Sequence, residues 1–177
     1  MEKFTKDSLI YNLTLFDCEA NLLLPRHTRL KMVIAGGSAL VLLDVISRST
    51  DDIDTLTVRA ELSELFEDYG INTRVNAYIN YFPYNYEDRL VKLPIDGKSI
   101  DFYAVSLEDI VIAKLHSVRD TDIDDINNPD LIAKLDWELL DRLATADDEL
   151  KASAMNDSQY NEFLYTYNDY KQKWKTR

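Results

Sequence analysis

The stretch Val33–Asp54, VIAGGSALVLLDVISRSTDDID, decides the fold. It begins within a short apolar run, Met32–Ala35, breaks at Gly36-Gly37-Ser38 and continues apolar to Ile46. A polar turn follows, and the stretch closes on Asp52 and Asp54 with one isoleucine between them. Lys31–Ala35 therefore reads as a buried strand and Ser38–Ile46 as the helix after it, and the alternation over Asp52–Val58 reads as a second strand. Side chains alternate across a strand, so Asp52 and Asp54 share one face while Ile53 packs on the other.

Two carboxylates this close repel each other unless a cation or a proton intervenes. Oxygen-only ligands favour Mg²⁺ or Mn²⁺, and Mg²⁺ takes one or two carboxylates together with substrate phosphates. Upstream, a glycine pair between a buried strand and a helix start offers backbone N–H groups to an anion. Taken singly, each feature has an ordinary explanation: an acidic edge strand, or a tight turn. In combination and in this order they point to a site for a metal and a phosphate.

The flanking chain gives the frame. Leu9, Ile10, Leu13, Phe16 and Ala20 have helical spacing between about Thr5 and Leu24, and Pro25 ends that helix. Ala60–Tyr69 reads as a helix stopped by Gly70, Ile71–Ile79 as a strand, and Asn80–Glu87 as a loop. Leu90–Ile95 and Lys98–Val105 flank Asp96-Gly97, the signature of a two-residue hairpin. Ser106 caps a helix running to about Val118, Pro129 opens another lasting to about Leu143, and a last helix follows Asn156. The expected class is α/β (α+β): a small mixed sheet flanked by helices, with a helical C-terminal third. We read residues 1–177 as a single unit: an N-terminal helix (1–30), a sheet core (31–105) and a helical part (106–177).

Further charged residues fall at informative places. Asp101 sits between Ile100 and Phe102 in the second hairpin strand; if that strand lies beside the Asp52/Asp54 strand, Asp101 completes a three-carboxylate site. Lys114 falls in the middle of an apolar helix stripe formed by Leu107, Ile110, Val111 and Val118. A lysine there either joins a structural salt bridge or snorkels, or it meets a phosphate or carboxylate in the site. His116 projects to the opposite, polar face and reads as a surface residue. The densely charged segment Arg119–Ile126 reads as a solvated, acidic helix end, or as carboxylates, Asp122 and Asp125, that orient Lys114 or Arg119 by ion pairing. Tyr160, Phe163, Leu164, Tyr167 and Trp174 line one face of the last helix and read as core.

Composition excludes several classes. The net charge of −12 argues against a dedicated duplex-DNA-binding protein, whose affinity would rest on Lys and Arg. It leaves nucleotide substrates open, because a bound cation inverts the local electrostatics. No stretch has the form of a signal peptide or the length of a membrane span. The lone cysteine, Cys18, has no partner for an internal disulfide and reads as a packing residue, so a reduced cytoplasmic location is expected.

Together, Gly37-Ser38, Asp52/Asp54 and Asp101 resemble the pattern of the DNA polymerase β-like nucleotidyltransferase superfamily. Within it, GGSAL, RSTDDID and KLHSVRDTDIDDI look most like small bacterial domains related to abortive-infection nucleotidyltransferases of toxin–antitoxin systems. In those relatives a lysine and a downstream Arg-Asp-x-Asp-x-x-Asp-Ile segment recur, matching Lys114, Arg119, Asp120, Asp122 and Asp125. The resemblance covers about Lys31 to Leu143. It implies transfer of a nucleoside monophosphate from an NTP to a hydroxyl of an RNA, protein or small-molecule acceptor. Asp52, Asp54 and Asp101 would be metal ligands and catalytic residues. Gly36, Gly37, Ser38, Lys114 and Arg119 would bind the nucleotide, with Thr50, Asp122 and Asp125 in support. A cognate antitoxin is the implied partner. Two other readings stay open: a catalytically inactive nucleotide-binding or protein-interaction domain of the same fold, and an antibiotic-type nucleotidyltransferase.

Overall fold

The computed structural model describes residues 3–153 and 156–175. The chain divides into two compact units: Met1–Asn76 with Leu90–Val105, and Ala77–Arg89 with Ser106–Arg177. Each is a mixed or all-helical layer structure in its own right.

The first unit opens with α1 (Lys6–Leu23), capped by Thr5, whose hydroxyl accepts the Ser8 N–H while Ser8 reaches back to the Thr5 N–H. Leu9, Leu13, Phe16 and Ala20 are fully buried, one stripe along the helix. Next come β1 (Leu30–Ile34) and α2 (Gly36–Leu42), then β2 (Ile53–Asp54), α3 (Ser63–Asp68) and β3 (Ile71–Asn72). Gly70 stops α3 in the left-handed region at φ 64°. The unit closes with β4 (Val91–Lys92) and β5 (Ile100–Ala104). β5 lies parallel to β1, from Leu30 opposite Ile100 to Ile34 opposite Ala104, and antiparallel to β4. On the other edge of β1, the Ala35 N–H donates to the Asp54 carbonyl (2.9 Å) and the Leu56 N–H to the Val33 carbonyl (2.9 Å). β2 in turn pairs in parallel with β3. β1 is thus flanked on both edges, and Met32, Val33 and Ile34 are all buried.

Two expected strands are shorter and one hairpin turn is wider, each for an identifiable reason, and the helix expected to about Val118 ends at Leu115. The strand read over Asp52–Val58 is a ladder strand only at Ile53–Asp54. Beyond it threonine hydroxyls take over the pairing: Thr55 Oγ1 donates to the Val33 carbonyl (2.8 Å), and Thr57 Oγ1 accepts the Val33 N–H (2.9 Å). The strand read over Ile71–Ile79 stops at Asn72, whose side-chain oxygen accepts the Arg74 N–H (3.1 Å) and turns the chain into a 3-10 segment, Arg74–Tyr81. The hairpin at Asp96-Gly97 is wide rather than a two-residue turn, because the buried Asp17 of α1 claims its donors. Asp17 accepts N–H bonds from Lys98 (2.5 Å), Ser99 (2.9 Å) and Ile100 (2.8 Å), and the Ser99 hydroxyl (3.1 Å). A side chain on Gly97 would collide with the Ile100 carbonyl, which is why the loop needs glycine there.

The second unit is helical: α4 (Leu107–Leu115), α5 (Asp120–Ile126), α6 (Pro129–Lys134), α7 (Trp137–Thr145), α8 (Leu150–Ser153) and α9 (Asp157–Trp174). α4 packs against α5, α7 and α9. Ser106 and Asn156 cap α4 and α9. The helix expected from Pro129 to Leu143 is two helices. Asp136 interrupts it by capping α7, accepting N–H bonds from Glu138 and Leu139 (both 3.0 Å), while its own N–H donates to Glu108 (2.9 Å). Tyr160, Phe163, Tyr167 and Tyr170 of α9 are core residues, and the three tyrosine hydroxyls are bonded, as where Tyr170 donates to the Ile126 carbonyl (2.7 Å). Among the described residues no helix is long and apolar enough to cross a membrane.

Candidate active site

The glycine turn and the aspartate strand meet in the first unit. α2 starts at Gly36, earlier than the expected Ser38, and Gly36 takes φ 62°, a conformation open to glycine at little cost. The absent side chain matters as much as the angle: a Cβ there would collide with Oδ2 of Asp54. The carboxylate of Asp54 therefore rests directly on the turn. Ser38 makes this arrangement rigid. Its fully buried hydroxyl donates to the Ala35 carbonyl (3.0 Å) and accepts the Asp54 N–H (3.3 Å), tying β2 to the start of α2. Ser38 is thus a latch inside the turn, its hydroxyl bonded to the backbone on both sides.

Asp52 shares the face of Asp54. Asn72, opposite Asp54 in the β2–β3 register, donates its side-chain amide to Asp52 Oδ2 (2.6 Å), while Ile53 and Ile71 are buried on the other face. Arg74, 82% exposed, reaches the same oxygen at 3.4 Å. Thr50, buried, donates to the Asp52 carbonyl (3.1 Å) and is itself held in backbone pairing with Phe4. Arg48 lies over the second glycine, with Nη2 2.8 Å from where a Gly37 Cβ would be.

Asp101 stands apart from this pair. The strand expected beside Asp52/Asp54 is β5, but β1 lies between them. Asp101 is level with Lys31, whereas Asp54 bonds at Ala35. Four residues of strand, roughly 13 Å, separate the two levels along β1. Asp101 is engaged by the Arg29 guanidinium and by Lys92 (3.3 Å). Those hydrogen bonds from Arg29, with a smaller contribution from Lys92, hold its carboxyl below the usual carboxylate range. Among the described residues no three His, Cys, Asp or Glu side chains form a metal-holding group.

In the second unit, the buried Lys114 ion-pairs with Asp122 and with Asp125 (2.9 Å), both 2% exposed. Of the two readings of the acidic segment, the ion-pairing one holds: α5 turns Asp122 and Asp125 inward onto Lys114, and Asp122 also pairs with Arg119. Burial raises the Asp122 carboxyl, but the charge of Lys114 and hydrogen bonds from Lys114, Ser117 and Arg119 outweigh it and leave the group below its ordinary value. His116 is not on the surface. His116 caps α4 in a helical conformation, but the face it projects from is covered, and the ring stacks on Tyr81 (centroids 4.3 Å) and Phe163 (4.8 Å). Its Nε2 is buried without a hydrogen-bond partner, and burial pushes the imidazole down to about 4.

Residues 11–175 match a family described as nucleotidyltransferases of unknown function (DUF6036). The chain belongs to this family. No curated protein and no solved structure matches it. For a nucleotidyltransferase, the half-buried Asp54 on β2 and Asp52 just before it are the carboxylates that would hold Mg²⁺ or Mn²⁺ together with phosphates. The fit rests on two carboxylates rather than three. Three neighbours of the aspartates, Arg48, Asn72 and Arg74, lack any assigned role in the sequence reading. Arg48 was legible as a basic residue four positions before Asp52 in an acidic chain. Asn72 carried no signal, since its role follows from the β2–β3 pairing.

Proposed function

We propose that this nucleotidyltransferase moves a nucleoside monophosphate from an NTP to a hydroxyl acceptor, releasing pyrophosphate, with Mg²⁺ or Mn²⁺ held by Asp52 and Asp54. The observation that carries the reading is the carboxylate of Asp54 lying on Gly36, which brings the acidic strand and the glycine turn into one place. Bound there, the ion would offset the charge of the triphosphate and of the transition state. The chain's own contribution is positioning. Asn72 and Arg74 orient Asp52, Ser38 fixes the β2–α2 junction, and the glycines let a phosphate approach the backbone. Lys114 spends its charge on Asp122 and Asp125, so we assign that cluster to holding α4 and α5 together. The acceptor is an RNA, a protein or a small molecule, and the resemblance to abortive-infection enzymes supports a cytoplasmic toxin–antitoxin or phage-defence setting with a cognate antitoxin.

The placement of Asp101 favours one rival reading, a domain that binds nucleotide without transferring it. Incubation with labelled NTPs, Mg²⁺ and cell extract separates the two. A labelled acceptor that disappears with Asp52→Asn or Asp54→Asn supports transfer. Metal-dependent NTP binding with no labelled product on any acceptor supports the rival.

A further inference from the structure

α1 is apolar on two opposite faces. Leu9, Leu13, Phe16 and Ala20 form the buried stripe. At about 100° per residue, Tyr11, Leu15, Cys18 and Leu22 form a second stripe on the far side. This one meets solvent: Tyr11 is 67% exposed, Leu22 81% and Leu15 38%, with Cys18 half-buried between them. Steps of four, three and four residues are the alternation that lets two helices mesh along a seam. Acidic residues alongside have other tasks. Asp17 holds the β4–β5 loop, and Glu19 accepts the Tyr69 hydroxyl (2.7 Å). An uncharged apolar strip running along a helix marks an interaction site, the more so on a chain with net charge −12.

We propose that this face of α1 pairs with the same face of a second copy of the chain, the two helices running antiparallel. The stripe is its own complement. A two-fold axis between Leu15 and Cys18 sets Leu15 against Cys18 of the second copy and Tyr11 against Leu22 of the second copy, and the reverse, as an isologous contact requires. The same operation brings opposite charges together. Asp7, in the first turn and four residues before Tyr11, meets Arg26, four residues past Leu22, and both are exposed. Parallel copies would set Asp7 against Asp7 and Arg26 against Arg26. Two chains of net charge −12 repel each other except where charge is absent or paired, which is what this face offers. A strongly basic partner would need a row of carboxylates that the stripe lacks. The contact is small: an 18-residue helix is about 27 Å long, and one face of it falls short of the roughly 800 Å² that each partner gives to a stable complex. The dimer is therefore weak and reversible, and it is independent of the nucleotidyltransferase reading.

The test is sedimentation equilibrium of the full chain at concentrations up to millimolar. The weight-average mass of wild type should climb from the monomer's 20.5 kDa towards twice that value. Leu22→Glu and Tyr11→Lys should each weaken association at least tenfold at an unchanged melting temperature, because both side chains are exposed. An equimolar mixture of the two variants should associate again. In the antiparallel pair, one end then sets the introduced lysine against the introduced glutamate, and the other end keeps tyrosine against leucine. A wild-type chain that stays monomeric throughout, whether or not another protein binds this face, overturns the proposal. Association that survives Leu22→Glu overturns it too, because the copies would then meet elsewhere. A mixture that fails to associate overturns the antiparallel pairing on which the proposal rests.

Discussion

Asp52/Asp54 in the sheet unit and Asp122/Asp125 in the helical unit are both closely spaced acidic pairs, yet they are solved in opposite ways. Asp122 and Asp125 are buried and neutralised by a buried lysine, so their charge is spent inside the protein. Asp54 on β2 and Asp52 just before it are only half-buried, with Asn72 and the exposed Arg74 on Asp52 and the glycine turn against Asp54. Spacing therefore does not distinguish a structural carboxylate pair from a ligand-ready one. The burial does.

The sharpest way to break that comparison is to remove the counter-charge. Lys114→Met strands two buried carboxylates, and we expect a loss of roughly 3–5 kcal/mol in urea unfolding, against about 1 kcal/mol or less for Asp52→Asn. Similar losses in both variants would erase the distinction.

The next effect is pH-dependent and belongs to the helical unit. His116 has a folded value of about 4, below the ordinary 6.5, so the unfolded chain binds the proton more readily. Its stabilisation is complete above about pH 6.5 and falls away as pH drops towards 4, by about 2–3 kcal/mol across that window. His116→Phe should flatten the stability profile there while leaving nucleotide binding at neutral pH unchanged. Asp122 acts lower. Its carboxyl is depressed in the folded state, so its contribution is present above about pH 4 and is lost as pH falls further.

Smaller again is the expected effect at the sheet unit's turn. Gly36→Ala forces an L-residue to φ 62° and pushes the Asp54 carboxylate aside, costing on the order of 1–2 kcal/mol. Its consequence for binding should exceed its consequence for stability, and parallel calorimetry and thermal melts would show whether it does.

Much of this was legible in the chain. The α1 stripe, the strand–glycine–helix order, the Ser106 and Asn156 caps and the Gly70 stop are local patterns, and each produces the element expected of it. What was hidden lay in long-range partners. Threonine hydroxyls shorten β2, Asn72 turns the chain out of β3, and Asp17, some eighty residues upstream, opens the Asp96-Gly97 hairpin. The same limit governs the site. The Asp52/Asp54 face follows from strand alternation, but which strand neighbours it depends on topology, and β1 intervenes before Asp101. The polar face expected to carry His116 into solvent is instead covered by Tyr81 and by Phe163 of α9, long-range partners that helical spacing does not reveal.

The most direct test of the central claim is a calorimetric titration of the full chain with each NTP, with and without Mg²⁺, for wild type and Asp54→Asn. The account predicts binding that requires the metal in wild type and is lost in Asp54→Asn at an unchanged melting temperature. Nucleotide binding that ignores the metal, or that survives Asp54→Asn intact, would contradict it.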